Sequence, residues 1–360
     1  MKKLLFIINS LGGGGAEKVL VDLLKMLDKT KYEIDLISTV GGVHEKELPK
    51  EVNYIKLTKK GGFWCKLLQK IPSGLFRWLF VKKKYDVEIA YLEGLPTKIV
   101  AKGKNTKKIA FIHCDVSVKP VLQRKYKTKE ACIKEYKKFD SVCFVSKMAK
   151  EGFEKTFAKL ENAKIVHNVV NTEETKTKAS EKNDFEYQTT GLKIISVGRL
   201  SSEKGYERLI KICAELEKKY DFELCILGDG CEREKLEALI GELNIKSVRL
   251  LGFQKNPYSF MKKADLYVCP SFYEGYSTTV TECMILGIPV LTTDCAGMDE
   301  ILHNGKYGII VANEENELKK GLELILNNPS MILSIKEKIK TYSFGKSLDE
   351  YYCLFDADNK

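Results

Sequence analysis

Short apolar runs alternate along the chain with segments in which apolar residues recur at helical spacing. This alternation occurs twice, once before and once after a polar stretch at residues 172–191. Strands that alternate with helices typically form a parallel, doubly wound sheet. The sequence therefore predicts an α/β protein with two Rossmann-like domains. The expected strands are residues 3–8, 32–39, 52–57, 87–91, 108–112, 141–145, 164–167, 192–197, 222–227, 248–250 and 265–269, and another begins near residue 288.

The polar stretch sets the expected domain boundaries. We assign residues 1–170 to a first domain and residues 192–342 to a second domain. Residues 171–191 are expected to be a linker, because this stretch is charged and has few apolar residues. The last expected element is a helix over residues 343–355.

Two carboxylates lie eight residues apart across a strand–loop–helix junction in the second domain. Glu274 is in the loop, and Glu282 is one to two turns into a helix that begins near Thr278. The first-turn amides of such a helix, here Ser277, Thr278 and Thr279, lack intrahelical partners and attract phosphate. A carboxylate nearby can bind a ribose diol. The spacing indicates a sugar-nucleotide site, and an ordinary junction with one capping and one exposed glutamate is the plainer alternative.

Two cations and a glycine turn follow other strands of the same half. Arg199 and Lys204 lie beside a helix start after strand 192–197, and Gly228 follows strand 222–227. Arginine offers phosphate a planar fork, and lysine offers a mobile point charge. The pair therefore suits a phosphate-bearing ligand at the carboxyl edge of the sheet. Two exposed cations without a ligand are the alternative.

The first domain begins with a strand, a glycine-rich loop and a helix. Gly14 and Gly15 end the loop, and glycine permits the backbone to approach a phosphate closely. The dinucleotide fingerprint G-x-G-x-x-G fails, because Glu17 stands where its last glycine is required. His113 follows strand 108–112, at the edge where ligand groups gather. The alternatives are a flexible turn and a histidine with satisfied structural contacts.

Several strings resemble the retaining GT-B glycosyltransferases of family 4. EGYSTTVTE at residues 274–282 resembles the E-x7-E motif of this family, with Ser277 where glycine is usual. GRLSSEKG at 198–205 matches the pattern G-R-[LF]-x-x-x-K-G throughout, and GGGGAEKVL at 12–20 resembles the glycine loop of the family. NVVN at 168–171 departs from the usual N-[GP]-V-D hinge and lacks its aspartate.

The resemblance implies a GT-B fold, with two Rossmann-like domains facing across a cleft and the last helix packing back on the first domain. It implies retaining transfer of a hexose-type sugar from a nucleoside diphosphate sugar, a UDP-sugar being favoured, without a metal or other cofactor. Arg199 and Lys204 would hold the diphosphate in place of Mg²⁺. Glu274 would hold the donor sugar, and Glu282 the ribose. The residues that the resemblance places near the donor are Gly14, Gly15, Gly228 and His113.

Charge is distributed unevenly along the chain, and this distribution indicates which kinds of partner the protein could bind. Net charge is +11, but residues 1–170 carry 35 Lys and Arg against 18 Asp and Glu, whereas the rest carries 25 against 31. A basic half suits an anionic membrane surface or a polyanionic acceptor, and no nucleic-acid-binding signature accompanies it. Residues 63–84 combine Trp, Phe and Lys, which favours a membrane or acceptor surface, although core packing explains such a stripe at least as well.

The location and the absence of a metal site are further expectations. No apolar run is long enough to span a membrane, and the eleven cysteines form no C-x-x-C pair. These features predict a cytoplasmic protein with reduced thiols, peripheral at most on the inner membrane face. The four histidines lack metal-ligand spacing, so no metal site is expected. A lipid-linked or cell-surface polysaccharide acceptor follows from a common role of the family.

Two other functions stay open. An NAD-dependent oxidoreductase or epimerase shares the fold class, but it needs the missing fingerprint and an acidic residue at the end of the second strand. Asp35 lies inside that strand instead. A catalytically inactive, glycosyltransferase-like binding subunit is the other alternative, and it would have no need of Arg199, Lys204, Glu274 and Glu282 together.

Overall fold

Residues 1–58, 68, 70–342 and 346–357 are described in a computed structural model of the chain. Within these residues the chain divides into two compact units. The first unit comprises Met1–Val169 and the last helix, and the second comprises residues 170–342. Each unit is built on a parallel sheet with helices between its strands, so the α/β architecture with two doubly wound domains is confirmed.

The first unit contains a seven-stranded parallel sheet. In chain order its strands are β1 (Lys2–Ser10), β2 (Tyr32–Val40), β3 (Asn53–Thr58), β4 (Val87–Ala90), β5 (Lys107–Ile112), β6 (Ser141–Phe144) and β7 (Ala163–Ile165). Their spatial order is β3-β2-β1-β4-β5-β6-β7. Its described helices are α1 (Gly15–Met26), α2 (Ser73–Phe80), α3 (Leu95–Val100), α4 (Lys129–Tyr136) and α5 (Lys147–Thr156).

The second unit contains a six-stranded parallel sheet. Its strands are β8 (Leu192–Val197), β9 (Phe222–Leu227), β10 (Val248–Gly252), β11 (Leu266–Cys269), β12 (Val290–Thr293) and β13 (Ile309–Val311), in the spatial order β10-β9-β8-β11-β12-β13. Its helices are α6 (Thr172–Ala179), α7 (Tyr206–Leu216), α8 (Arg233–Glu242), α9 (Tyr258–Met261), α10 (Thr278–Leu286), α11 (Met298–Ile301), α12 (Glu315–Asn327) and α13 (Ser330–Lys340). The last helix of the chain, α14 (Lys346–Asp356), belongs to the first unit.

Both faces of the first sheet are covered, and this explains the apolar runs in the sequence. Along β1, Leu4 and Phe6 pack into one hydrophobic core, whereas Leu5 and Ile7 pack into another. Successive residues of a strand point to opposite faces. A strand buried on both faces must therefore be apolar at every position, rather than alternating with polar residues.

The last helix is part of the core of the first unit. Phe355 of α14 is fully buried, and its ring centroid lies 5.9 Å from that of Phe6. Lys107 Nζ donates hydrogen bonds to the carbonyl oxygens of Leu354 and Ala357, at 2.8 and 2.7 Å. The final carbonyls of a helix have no intrahelical donors and attract a cation. Lys107 therefore fixes the end of α14 to the start of β5.

The stretch expected to be a linker is only partly one. Residues 172–179 form α6, and the Asn171 side chain caps it by accepting a hydrogen bond from the Glu174 amide at 3.1 Å. Thr175 and Ala179 are buried, and the helix packs against α9 and α10. The composition of this stretch did not predict the helix, because only two side chains of the helix are buried. Capping and tertiary packing supply the stability that its propensity does not.

The segment at residues 63–84 lies partly outside the described residues, which omit 59–67 and 69. Its second half begins at Pro72, the N-cap of α2. Phe76 is buried in the core, whereas Trp78 is exposed. Arg77 pairs with buried Glu88 through two hydrogen bonds of 2.5 and 2.6 Å, which holds α2 on β4. The described half therefore has both a core face and an exposed aromatic side chain.

Candidate functional site

The second-domain residues expected to bind the donor lie at one edge of the second sheet. The loops after β8, β9 and β11 carry Arg199 with Lys204, Gly228, and Glu274, respectively. Because the strands are parallel, their carboxyl ends share an edge, so the three loops are neighbours. Lys204 Nζ lies 2.7 Å from Glu274 Oε1, and Ser271 Oγ donates to the same oxygen at 2.6 Å. Two residues seventy positions apart thus form one polar group.

The protonation of Lys204 is determined by its carboxylate partner. Burial alone would lower the pKa of Lys204, because a buried ammonium loses its hydration. The charge of Glu274 and the hydrogen bond to it outweigh burial and raise the pKa above its ordinary value. Lys204 is therefore a fixed cation at every physiological pH.

Arg199 differs from Lys204 because its charge is not neutralised. Its side chain is exposed, and it forms no hydrogen bond or ion pair with a residue that the structure describes. It projects from the same loop, 198–205, that carries Lys204. An unpaired guanidinium beside an ordered cation suits a ligand with a doubly charged group, such as a diphosphate.

Two glycines allow these loops to pack closely. Gly228 has φ +139° and Gly205 has φ +68°, values that side chains rarely permit. A Cβ at Gly228 would overlap the carbonyl oxygen of Gly198, and one at Gly205 would overlap that of Pro270. The predicted position of Gly228 beside the nucleotide stays a prediction, but the structure gives this glycine a packing role.

The start of α10 is arranged as the phosphate hypothesis requires. Ser277 is the N-cap, and its hydroxyl accepts a hydrogen bond from the Val280 amide at 3.3 Å. The amides of Thr278 and Thr279 have no acceptor among the described residues. Such first-turn amides at the positive end of the helix dipole can donate to an anion.

Glu282 is buried rather than exposed, with 6% of its surface accessible. Tyr258 of α9 donates its phenolic hydrogen to Glu282 Oε1 at 2.8 Å. The plainer alternative, with one capping and one exposed glutamate, is therefore wrong for both residues. The cap is Ser277, Glu274 pairs with Lys204, and Glu282 lies inside the unit. Tyr258 was missed by the sequence analysis, since nothing in its own surroundings marks it.

Arg208 is a second residue that the sequence analysis missed. Its guanidinium donates to the carbonyl oxygens of Pro270, at 2.9 and 2.6 Å, and Ser271, at 2.9 Å, and to Asn313 Oδ1 at 2.8 Å. It is buried, it stacks on the Phe272 ring, and it has no ion pair with a described residue. Burial lowers the pKa of Arg208. The sequence feature that could have identified Arg208 is a cation at a position where the helical pattern of α7 is otherwise apolar.

The first unit contains a separate polar group at the carboxyl ends of β4 and β5. His113 packs against the rings of Tyr91 and Phe111, with centroids 4.9 and 5.9 Å away. Both of its ring nitrogens are shielded from solvent, and neither has a hydrogen-bond partner among the described residues. Burial lowers the pKa of His113 to about 4, and nearby main chain of Tyr91 offsets only part of this effect.

Glu93 holds the main chain next to this histidine. Its Oε1 accepts a hydrogen bond from the His113 amide at 2.6 Å, and burial raises the pKa of the Glu93 carboxyl. His113 is therefore a neutral ring in a fixed position with two unused nitrogens. The ring packs against Tyr91 and Phe111, and the predicted role of His113 near the donor stays a prediction. Glu93 was not among the predicted site residues, although it also follows a strand.

The glycine loop caps the first helix. Gly14 is the N-cap of α1 and Gly15 is its first residue. A Cβ at Gly14 would overlap the carboxylate of Glu17, whose Oε1 accepts from Ser10 Oγ at 3.3 Å. Glu17 thus lies over the loop where a fingerprint glycine would be. No described contact joins this loop to His113, and its predicted role near the donor stays a prediction.

The described residues contain no metal cluster and no membrane-spanning helix. No group of three or more His, Cys, Asp or Glu side chains among them is placed to hold a metal ion. None of the helices in the described part of the chain combines the length and apolarity needed to cross a bilayer.

Comparison with known proteins agrees with this geometry. The family model "Glycosyltransferase Family 4" matches residues 13–174, and "Glycosyl transferases group 1" matches residues 177–342. The chain belongs to this glycosyltransferase family. The break between the two matches, at residues 175–176, lies close to the boundary between the two units.

Relatives and solved structures extend over nearly the whole chain. A Campylobacter jejuni protein named N-acetylgalactosamine-N,N'-diacetylbacillosaminyl-diphospho-undecaprenol 4-alpha-N-acetylgalactosaminyltransferase is 29% identical, covering 99% of this chain and 98% of the relative. An uncharacterized glycosyltransferase of Haemophilus influenzae is 27% identical over 98% and 99%. Among solved structures, Anabaena HepE in complex with UDP-glucose has a TM-score of 0.74 at 18% identity, covering 94% of each chain. The last comparison supports the GT-B fold.

Proposed function

We propose that this glycosyltransferase moves a hexose-type sugar from a nucleoside diphosphate sugar, a UDP-sugar being favoured, to a lipid-linked or cell-surface glycan. The observation that carries the proposal is the Lys204–Glu274 pair next to the unpaired Arg199 and the start of α10. Two cations and free amides suit a diphosphate, and the carboxylate suits the hydroxyls of a sugar. No other described group of the second unit offers this combination.

The proposed chemistry uses the cationic site to stabilise the leaving group. The bond between the anomeric carbon and the diphosphate oxygen breaks, and the acceptor oxygen bonds to the same carbon from the same face. The acceptor proton passes to a diphosphate oxygen. Arg199, Lys204 and the first amides of α10 would stabilise the charge that develops on the diphosphate, which is where preorganised donors contribute most. Glu274 would hold the donor sugar, and Glu282 the ribose.

The proposal needs no divalent metal, since Arg199 and Lys204 supply fixed positive charge where Mg²⁺ would otherwise act. The proposed retention of configuration rests on the family resemblance in the sequence. No nucleophile pair at the spacing of retaining glycosidases can be read from the sequence.

The acceptor proposal rests on the relatives. Two Campylobacter jejuni relatives that align over almost the whole chain are named for acceptors joined through a diphosphate to undecaprenol. They are 29% and 26% identical to this chain. We extend this class of acceptor to the present protein as a proposal, together with a cytoplasmic location.

The oxidoreductase alternative gains no support. Asp35, the acidic residue that would have to bind a ribose, is buried within β2. Its carboxylate accepts hydrogen bonds from Tyr85 at 2.7 Å and Lys83 at 3.1 Å. A carboxylate with these partners inside a sheet is not available to a cofactor.

Arg199→Ala tests the proposed donor site. A thermal-shift screen of UDP-, GDP- and ADP-sugars identifies the donor, because a bound ligand raises the melting temperature. With that donor, we expect turnover to fall at least about a hundredfold. Stability should change by less than about 0.5 kcal/mol, since Arg199 is exposed and has no described partner.

The matched control is Lys340→Ala, which removes one positive charge from an exposed position on α13 of the same unit. It should retain full turnover. Activity of Arg199→Ala within a few-fold of the unmodified protein would contradict the assignment of the diphosphate to this loop.

A membrane-facing role for the first unit is the second part of the proposal. On α2, Trp78 is 70% exposed and Leu75 is 48% exposed, while Arg77 anchors the helix to Glu88. Lys82 Nζ lies 5.2 Å from the Trp78 ring centroid. Exposed apolar side chains beside cations are typical of surfaces that bind anionic membranes, where each cation contributes roughly 1 kcal/mol.

Liposome co-sedimentation tests this surface. Binding should require anionic lipid, weaken with salt, and fall in a Trp78→Ser, Lys82→Gln double variant. Lys83 is left unchanged because it pairs with Asp35 and Glu33 in the fold. Equal recovery in the supernatant with and without anionic vesicles at low salt would remove the membrane role and leave the transferase proposal intact.

A further inference from the structure

In the loop after β5, the charged side chains of residues 116–129 are all positive. Residues 116–129 contain five cations and no carboxylate. The cations are Lys119, Arg124, Lys125, Lys127 and Lys129. A local concentration of like charge disfavours folding, so a polyanionic ligand is the simplest reason for such a segment.

The loop is held in a definite conformation. Val116 and Leu122 are fully buried, and Gln123 Nε2 donates to the Val116 carbonyl oxygen at 2.8 Å. The amides of Lys125 and Tyr126 both donate to the Leu122 carbonyl oxygen, at 2.9 and 3.1 Å. The cations therefore extend from fixed backbone positions, which reduces the entropy lost when they bind a ligand.

The loop directs cations to the edge that holds His113. The stem of Lys125 passes over Gly94, where an added Cβ would lie 3.4 Å from Lys125 Cδ. Gly94 is adjacent to Glu93, the residue that fixes the His113 amide. Lys98 Nζ donates to the Lys125 carbonyl oxygen at 3.0 Å, so its ammonium group lies at the same place.

Lys119 approaches the same edge from the beginning of the loop, close enough to interact electrostatically with Glu93 and Cys114. Arg124, Lys125, Lys127 and Lys129 are exposed and have no ion pair with a described residue. The result is an ordered cationic surface beside an unsatisfied histidine.

We propose that residues 116–129, with Lys98, bind the diphosphate of a polyprenyl-diphosphate-linked acceptor beside His113. The inference rests on the proposed function, because it names where the acceptor's own diphosphate binds. A diphosphate carries several negative charges on one compact group, which suits a cluster of cations that includes Lys98, Lys119 and Lys125. A membrane surface would instead need cations spread over a plane with apolar side chains among them, as on α2.

Binding of farnesyl diphosphate tests the inference without requiring turnover. Titration calorimetry uses the full chain with saturating UDP, which fills the donor site, and farnesyl diphosphate below the concentration at which it forms micelles. We expect at least tenfold tighter binding of farnesyl diphosphate than of farnesol. A Lys119→Gln, Lys125→Gln variant should lose at least tenfold in farnesyl diphosphate affinity and should keep its UDP affinity.

The matched control is Lys102→Gln, Lys104→Gln, which removes two exposed charges at the opposite, amino-terminal edge of the same sheet. It should bind farnesyl diphosphate like the unmodified protein. Equal affinity of the loop variant and the unmodified protein, or no preference for the diphosphate over farnesol, would overturn the inference. The inference would also be overturned if the Lys119→Gln, Lys125→Gln variant bound farnesyl diphosphate normally and lost only its binding to anionic vesicles. Failure of UDP to bind would count against the donor proposal alone.

Discussion

Burial and a charged neighbour move the pKa values of two basic residues in opposite directions. His113 is buried without an acidic partner, so its pKa falls to about 4. Lys204 is also buried, but Glu274 lies 2.7 Å away and raises its pKa. His113 is therefore neutral, and able to donate or accept a hydrogen bond, at the pH at which Lys204 is a permanent cation.

His113 should make the stability of the protein depend on pH. The folded ring has a pKa of about 4 and the unfolded ring about 6.5, so the unfolded chain binds more protons between these values. Its contribution is fully present above pH 6.5 and is lost as the pH falls toward 4. From pH 7.5 to pH 5, we expect the free energy of unfolding of the unmodified protein to fall by about 2 kcal/mol more than that of His113→Phe. Urea denaturation at both pH values measures this, and a constant difference would contradict it.

Sequence patterns predicted the edge of the sheet at which single residues lie better than they predicted the partners of those residues. Lys204 and Glu274 could be placed at one edge, because both follow strands of a parallel sheet. The direct ion pair, the burial of Glu282 against Tyr258 and the contacts of Arg208 could not be predicted. Each of these depends on side chains that meet across elements far apart in sequence, and periodicity contains no information about such pairs.

The loop that carries Glu274 is held by one buried guanidinium. Arg208 binds the carbonyl oxygens of Pro270 and Ser271, and Asn313 Nδ2 donates to the Phe272 carbonyl oxygen at 2.7 Å. Loop backbones in the interior need such partners, because unsatisfied carbonyls are costly to bury. The position of Glu274 therefore depends on α7 as well as on β11.

Arg208→Met should separate this positioning role from the fold. The loss of donors to two buried carbonyls should destabilise the protein by about 2–4 kcal/mol. It should also weaken UDP binding roughly tenfold, because this loop leads into the start of α10, whose first amides would bind the diphosphate. Arg208→Lys should recover part of the affinity, since it restores charge but not the fork.

Lys211→Met is the control, as Lys211 is an exposed residue of the same helix. Denaturation and UDP titration of the three variants measure both effects. If Arg208→Met is less stable but binds UDP normally, Arg208 supports the fold without positioning the site.

Element boundaries were predictable where burial repeats with the period of the element. The inner strands of both sheets follow from their apolar runs, because they are buried on both faces, as in β1, β4, β9 and β11. The edge strand β13 was not predicted, since none of its three residues is buried. Helix α6 did not follow from the sequence, since it buries only Thr175 and Ala179 and is stabilised by an Asn171 cap. Helices with so small a buried face have the composition of a linker.

At the scale of the molecule, the last helix connects the end of the chain to its beginning. Phe355 is buried against Phe6 and Tyr32, with centroid distances of 5.9 and 6.2 Å. We expect Phe355→Ala to destabilise the first unit by about 3–5 kcal/mol. Hydrogen exchange should quicken in β1 and β2 and stay unchanged in β8 and β9.

Cys353→Ala, an exposed position on the same helix, is the control and should leave exchange unchanged. Faster exchange in the second unit alone would contradict the assignment of α14 to the first.

The two units also differ in charge, and this difference agrees with the proposed division of labour. The basic excess lies in residues 1–170, which contain the loop at 116–129, whereas the remainder is acidic overall. Arg199 and Lys204 are therefore positive charges in a part of the chain whose net charge is negative.

Mass spectrometry of an acceptor after incubation with nucleotide sugars tests the central claim most directly. The full chain is incubated in excess EDTA with a polyprenyl-diphosphate-linked glycan and, separately, with UDP-, GDP- and ADP-sugars. The account predicts that the acceptor gains the mass of one hexose-type sugar from one donor class, and that Arg199→Ala lowers the rate at least about a hundredfold. No gain in mass from any donor, or a gain that appears only after Mg²⁺ or Mn²⁺ is restored, would contradict it.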